Sequence, residues 1–399
     1  MNEVSERSER GRAATVTAAP PARRRKTAGL RRKRGVRDVV RVLHRYLGLI
    51  AGSILVVSGL TGSTLVFRSE IDTALNPELL RVTPSEARAP LQGMVDRVVR
   101  DYPTDPLPAR IRMPARPDGT LEFWMGAAPD RYVYTDPHTG AVLGARRPTE
   151  FLTGWLFLLH SHMLSGELGN KLAGTGALAL IALSISGIIA WWPRRAPWKA
   201  WAQWRAALVV KRRSGSKRFT FDLHRTLGFY ASVLLLIAGT TGASLVFHVQ
   251  FARAAHMLMG THPAMAVVVP PQPAVGRAAP SLPLDTLLAI AERAQPGGVI
   301  SYLYLPTKPG ETFRVRKRLA GEKHPTGNSF VHVDPATGHV LAVEDGTRAP
   351  RGARLYSILY PLHIGVLGGT ATRLLAVLVG LTLPTLAITG ALVWWRRGR

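Results

Sequence analysis

The sequence predicts a membrane α-helical protein: four transmembrane helices from a parallel internal duplication, carrying two small α/β domains outside the membrane. Three observations predict it. Four long runs contain no Asp, Glu, Lys or Arg; a 24-residue segment beginning at His44 recurs at His224 with 12 identities and no gap; and the net charge of +27 collects in three places.

The runs are Tyr46–Phe67, Leu172–Trp192, Thr226–Phe247 and Leu374–Trp395, each of 21 or 22 residues. At about 1.5 Å per residue each makes roughly 30 Å of helix, the thickness of a bilayer's hydrocarbon core. Core helices of a soluble protein rarely avoid every charge over such a length.

The basic segments fix the orientation. Residues 1–45 carry 14 Lys/Arg against 4 Asp/Glu, residues 194–225 carry 10 against 1, and the tail after Trp395 carries 3 against none. Four spans put these segments on one side, which the positive-inside rule makes cytoplasmic. A basic balance explained by topology calls for no nucleic acid. The predicted organisation is then a basic tail over 1–36, spans over 37–67, 169–193, 223–247 and 369–395, external domains over 68–150 and 248–350, interfacial helices over 151–168 and 351–368, a cytoplasmic loop over 194–222 and a cytoplasmic tail over 396–399. The expectation is a multi-pass membrane protein with both termini cytoplasmic. The arginine-rich tail, with Arg23-Arg24-Arg25-Lys26 and Arg31-Arg32-Lys33-Arg34, reads as a disordered arm beside anionic lipid, and the run after it is too long for a cleaved signal.

The repeat extends through the chain. His160, Leu164, Gly166, Gly187, Trp191 and Trp192 correspond to His363, Leu367, Gly369, Gly390, Trp394 and Trp395 at an offset of 203, whereas the first repeat has an offset of 180. Asp136-Pro-His-Thr-Gly140 corresponds to Asp334-Pro-Ala-Thr-Gly338, each fitting a type I turn with a left-handed glycine that closes a hairpin. Apolar spacing of three and four predicts a helix over Pro90–Arg100 and another over Leu284–Arg293, the latter with Ser281 as a possible N-cap; strands follow, such as Ala109–Met113 and Thr312–Arg316. Both halves enter from the cytoplasm, so their pseudo-two-fold axis runs along the membrane normal. Gly48, Gly52, Gly59, Gly62, Gly228, Gly239 and Gly242 leave room for a flat cofactor against a helix, or serve as ordinary packing between membrane helices.

Histidine placement is the functional signal. His44 and His224 begin the first and third spans at the inner surface; His160 and His363 precede the second and fourth at the outer surface. A solitary histidine at a helix end merely meets headgroups. Two symmetry-related pairs instead allow two imidazoles to converge on an axis, as bis-histidine ligation of a b-type haem requires, with a direct metal site as the alternative. With no cysteine in the chain, iron–sulfur ligation and thioether attachment are excluded and any haem is held noncovalently. Arg45 and Arg225 follow the inner histidines and suit haem propionates, while Lys171 and Arg373 stand near the outer ones. His162 has no mate and points away from His160 on a helix; His248 is mirrored by Arg68.

The paired His-Arg-x-Leu-Gly starts, the Leu-His-x-x-x-Leu-x-x-Gly approaches at Leu159 and Leu362, the Gly-x-x-x-Trp-Trp exits and the Asp-Pro-x-Thr-Gly turns together resemble the PepSY-associated transmembrane family. The resemblance runs from about residue 37 to the end and departs at Asn170, where the other half has the stretch leading to Arg373. It implies a bacterial inner-membrane protein with PepSY-like periplasmic domains, tied to iron supply, and in one branch a di-haem ferrisiderophore reductase. By that resemblance His44, His224, His160 and His363 are axial ligands of two haem b groups. A quinol or cytoplasmic reductant is the expected donor, a ferric siderophore or other ferric chelate the acceptor, and membrane lipid the surroundings.

Two rivals remain. A transport component for iron chelates normally keeps an ionisable residue or an unwound helix at midplane, and here Pro384 alone hints at a break. A membrane-anchored binding or regulatory module explains the external domains but leaves the paired histidines without a purpose. For substrate contact the basic run Arg314, Arg316, Lys317 and Arg318 is the candidate, against a solvated strand face.

Overall fold

The computed structural model describes residues 35–126, 130–192, 201–211, 215–262, 282–308 and 310–396. The arginine clusters of the tail and Ser281 lie outside the described residues.

The chain opens with helix α1 (Val36–Leu65), followed by the short helices α2 (Arg68–Leu75) and α3 (Pro77–Leu80) and by α4 (Leu91–Asp101). Strands β1 (Pro108–Arg112), β2 (Leu121–Met125), β3 (Arg131–Thr135) and β4 (Val142–Arg146) lead to α5 (Leu152–His162) and α6 (Gly166–Trp191). After α7 (Trp201–Leu208) come α8 (Ser216–Val246), α9 (His248–Leu258) and α10 (Leu284–Ala294). Strands β5 (Val299–Tyr304), β6 (Phe313–Arg318), β7 (Ser329–Val333) and β8 (Val340–Glu344) precede α11 (Arg351–His363) and α12 (Gly369–Trp395).

Four helices, α1, α6, α8 and α12, are long and apolar enough to cross a membrane. Two of them begin well before the uncharged runs. Helix α8 continues through Asp222, which is wholly buried between Arg218 at 3.0 Å and Arg225 at 3.1 Å; neighbours at i−4 and i+3 neutralise the carboxylate on one helix side. The spans meet through small residues. A Cβ on Gly59 would stand 2.5 Å from the Gly380 carbonyl of α12, one on Gly239 would stand 3.0 Å from the Ala177 carbonyl of α6, and Ser63 Oγ donates to Val377 O at 3.0 Å.

All eight strands join one antiparallel sheet in the order β4-β3-β2-β1-β5-β6-β7-β8. The two segments between spans thus fuse where β1 pairs with β5, Ile111 opposite Leu303. The hairpin turns follow from their sequences. Asp136 accepts from His138 N at 2.7 Å and Thr139 Oγ1 at 2.9 Å, with Gly140 at φ +69°; Asp334 accepts from Ala336 N at 3.0 Å and Thr337 Oγ1 at 2.6 Å, with Gly338 at φ +74°. One face of the sheet buries Ile111, Phe123, Val133, Leu303, Val315 and Val331 against Met94 and Val98 of α4 and Leu287 of α10. Strand alternation divides the basic run of β6. Arg314 and Arg316 point away from this core, but Lys317 points into it, wholly buried and donating to Glu292 Oε1 at 2.7 Å. Lys317 is therefore a core ion pair and no part of a basic surface.

The opposite sheet face is braced to the helices that carry the histidines. On one side Arg146 makes a two-pronged contact with Asp72 of α2 at 2.8 and 2.6 Å, donates to the Tyr134 hydroxyl, and lies 3.7 Å over the ring of Phe151, the residue before α5. On the other, His324 in the β6–β7 connection stacks on Tyr360 of α11 with centroids 5.1 Å apart.

Two outcomes follow from these braces. Asp72→Asn strands a buried guanidinium and should cost about 3–5 kcal/mol, measured by thermal unfolding in detergent, while adding Arg146→Met should recover part of the loss. Burial and the neighbouring Arg316 lower the His324 pKa from 6.5 to about 4, so the unfolded chain binds the proton first and stability falls as pH drops through that window. His324→Phe should flatten this part of a pH series of melting temperatures; His332, also lowered by burial, leaves a residual slope of the same sign.

Candidate functional site

Two histidine pairs lie at opposite ends of the four-helix bundle. At the sheet end, His160 at the close of α5 and His363 at the close of α11 have ring centroids 6.2 Å apart, with planes inclined by 45°. At the far end, His44 of α1 and His224 of α8 have centroids 6.3 Å apart, inclined by 77°. Each pair joins one residue from before β1–β4 or just after them with one from the corresponding place around β5–β8. Along both α1 and α8 the ends are separated by 17 residues, from His44 to Thr61 and from His224 to Thr241. That is about 25 Å of helix.

Every one of the four rings docks on a neighbouring helix in the same way. His44 Nδ1 lies 2.9 Å from Ser186 Oγ of α6, and His160 Nδ1 lies 3.0 Å from Thr61 Oγ1 of α1. His363 Nδ1 lies 3.0 Å from Thr241 Oγ1 of α8, and His224 Nδ1 lies 3.1 Å from Thr389 Oγ1 and 3.0 Å from Leu386 O, both of α12. The hydroxyls settle the tautomer. Each has one proton, and each already donates it to the carbonyl four residues back: Ser186 to Ala182 and Thr61 to Val57 at 2.6 Å, Thr241 to Ile237 at 2.9 Å, Thr389 to Thr385 at 2.6 Å. The hydroxyl oxygen must then accept from Nδ1–H. At His224 the Leu386 carbonyl, which only accepts, makes the same demand.

The consequence is that each of the four imidazoles has Nδ1 engaged and Nε2 left over. Among the described residues no hydrogen bond is made by any of these four Nε2 atoms. The residue after each hydroxyl is glycine, and the spacing shows why. A Cβ would lie 2.9 Å from His160 Cε1 at Gly62, 3.3 Å from His44 Cε1 at Gly187, 3.3 Å from His363 Cε1 at Gly242 and 3.0 Å from His224 Cε1 at Gly390. Gly62 and Gly242 therefore make space for an imidazole rather than for a planar ligand. Gly48, Gly52 and Gly228 would meet only ordinary contacts at 3.7 Å.

The arginines singled out in the sequence have different fates. Arg225 pairs with the buried Asp222 at 3.1 Å and donates to Ala206 O, so its charge is spent locally. Arg45 is half-buried and, among the described residues, makes no hydrogen bond or ion pair. Arg373 donates to Glu70 and to Val66 O, tying α12 to the α1–α2 corner, and is not free beside His363. Lys171 is exposed, and Asn170 donates to Ser161 O at 3.0 Å at the end of α5. His162 Nδ1 is 2.7 Å from Ser161 Oγ, outside the pair, and His248 merely starts α9.

The Ser/Thr-Gly dipeptides are functional residues that inspection of histidines alone passes over. Their signal is in the sequence: Thr61-Gly62 recurs as Thr241-Gly242 at the offset of 180, and Ser186-Gly187 as Thr389-Gly390 at the offset of 203. Among the described residues no group of three or more His, Asp or Glu is gathered as a metal site.

A comparison with curated proteins finds no match to the chain. The family described as PepSY-associated TM region matches residues 41–397, a stretch that takes in all four paired histidines, the four spans and every strand. The chain therefore belongs to the PepSY-associated TM family.

Proposed function

We propose that this protein carries electrons across the bacterial inner membrane between two b-type haems and reduces ferric chelates, such as ferrisiderophores, on the periplasmic side. The observation that carries the reading is the fourfold imidazole arrangement: paired rings, tautomers fixed by hydroxyls, and Nε2 lone pairs left over. With about 2.0 Å per metal–nitrogen bond and about 1.1 Å from nitrogen to ring centre, two imidazoles on opposite sides of one metal have centroids roughly 6 Å apart. The observed 6.2 and 6.3 Å fit that span. Two donors alone hold a transition metal weakly, so a pair of this kind calls for a ligand that fills the remaining equatorial positions, as a porphyrin does.

A haem bound by each pair supplies a one-electron iron couple. The protein's part is to hold each imidazole in the ligating tautomer through Ser186, Thr61, Thr389 and Thr241, to admit the ring over glycine, and to keep the bundle between the pairs apolar. A charged, proton-binding group is not needed between the pairs, and the uncharged runs agree with pure electron transfer. At the accepting side the metal is released on reduction, since ferrous iron binds hard oxygen donors less tightly than ferric iron. On this reading the two pairs lie on one pseudo-two-fold axis, and the positive-inside rule supports a periplasmic sheet and a cytoplasmic basic loop, which would give a quinol or cytoplasmic reductant access to the His44–His224 pair.

The test is spectroscopic. Protein purified in detergent should show two b-type haems per chain by pyridine haemochrome, and His44→Ala and His363→Ala should each remove about one; unchanged content in both would overturn the ligand assignment. A finer outcome concerns the docking. Gly62→Ala should expel the His160 ring and lose the sheet-end haem alone, while Thr61→Val, which keeps the shape but removes the acceptor, should weaken haem retention at that end by about 10–100-fold.

A further inference from the structure

The sheet face turned away from α4 and α10 is lined by arginines interleaved with aromatic rings. The Arg110 guanidinium lies 4.6 Å from the Trp124 ring and 5.4 Å from the Tyr304 ring, and Arg314 lies 4.7 Å over the other side of the same tyrosine. Tyr302 meets Trp124 with centroids 6.0 Å apart. Charge on this face is unbalanced. Glu122 lies 3.7 Å from Arg112 and accepts from Trp124 Nε1, and Glu344 is held by His332 at 2.9 Å. Among the described residues Arg110 and Arg314 have no ion pair, and Arg110 Nε is buried without a hydrogen-bond acceptor.

The face borders the sheet-end histidine pair. Tyr360, one helical turn before His363, stacks on His324, whose Nδ1 lies 3.4 Å from Arg316 of β6 on this face. Arg112 keeps 48% of its side chain accessible on this face, 3.7 Å from Glu122.

We propose that this face binds anionic ferric chelates that carry aromatic rings, of the catecholate class, beside the sheet-end histidines. A guanidinium lying flat on a ring keeps its N–H edge for an anion, so Arg110 and Arg314 would meet the chelate's negative oxygens while Trp124 and Tyr304 accept its rings. An uncharged aliphatic chelate would leave both cations unpaired. The proposal deepens the electron-transfer reading and rests on it for the reaction: chelated Fe(III) gains one electron and becomes Fe(II) as ferrous iron held at the His160–His363 pair becomes ferric, with no covalent bond to carbon, nitrogen or oxygen of the protein made.

Binding is separable from redox by using gallium(III), which mimics ferric iron and is not reduced. Calorimetric titration of the full chain in neutral detergent with the gallium complex of 2,3-dihydroxybenzoylglycine should give at least tenfold tighter binding than gallium desferrioxamine B, weakening steeply with salt. Arg110→Gln/Arg314→Gln should lose at least tenfold, and Arg314→Gln alone carries the comparison if the double variant does not fold; Arg100→Gln, on α4 behind the sheet, should change nothing. Equal affinity for the two complexes, or no loss in the variants, overturns the proposal. So does arginine-dependent binding of phosphatidylglycerol in mixed micelles without chelate binding, which would assign the face to lipid headgroups. Chelate binding in a protein found to hold no haem supports the binding face and overturns only the electron-transfer reading.

Discussion

A neutral imidazole in a low-dielectric helix bundle has two nitrogens to satisfy, and only one of them is satisfied here by protein. Unpartnered polar groups are costly away from water. Serine and threonine solve half of the problem at each position, because a hydroxyl that donates back to its own helix still has lone pairs to accept from Nδ1–H. The same device appears at four places on four different helix-to-helix contacts and always ahead of a glycine. What remains, among the described residues, is a set of Nε2 atoms without a hydrogen-bond partner, in two couples.

The extramembrane sheet has a bearing on the same couples. Its β3–β4 side grips the approach to α5 through Arg146 and Phe151, and its β6–β7 side meets α11 through His324 and Tyr360. Each grip acts on the helix that ends in one member of the sheet-end pair. Among the described residues no strand stands over the far-end pair. That pair relies on the helices themselves and on Asp222, whose carboxylate stitches Arg218 and Arg225 at the start of α8.

Much of this was legible in the sequence where the determining physics is local or periodic. The spans declare themselves by uncharged length, the hairpins by Asp-Pro-x-Thr-Gly, and helices α4 and α10 by apolar spacing. The pairing of β1 with β5 has no local signal, since it joins backbone edges almost two hundred residues apart in sequence. Reading Arg314 to Arg318 as one basic surface ignored the two-residue period of a strand, which sends Lys317 to the core. Arg373, singled out near the outer histidines, pairs with Glu70, a partner that only the folded α1–α2 corner brings near. The histidines were visible because they repeat; the hydroxyls that orient them repeat as well, but a threonine in an apolar run looks like any other small residue.

The seam between β1 and β5 has a mechanical consequence. Hydrogen bonds run across it from Ala109–Leu305 to Met113–Ser301, so the two lobes of the sheet are welded into one plate and cannot twist independently. A machine that worked by rocking one lobe against the other would have to tear this weld in every cycle. With α5 and α11 fastened to opposite wings of the plate, the gap between His160 and His363 is held as by a caliper, set once on folding.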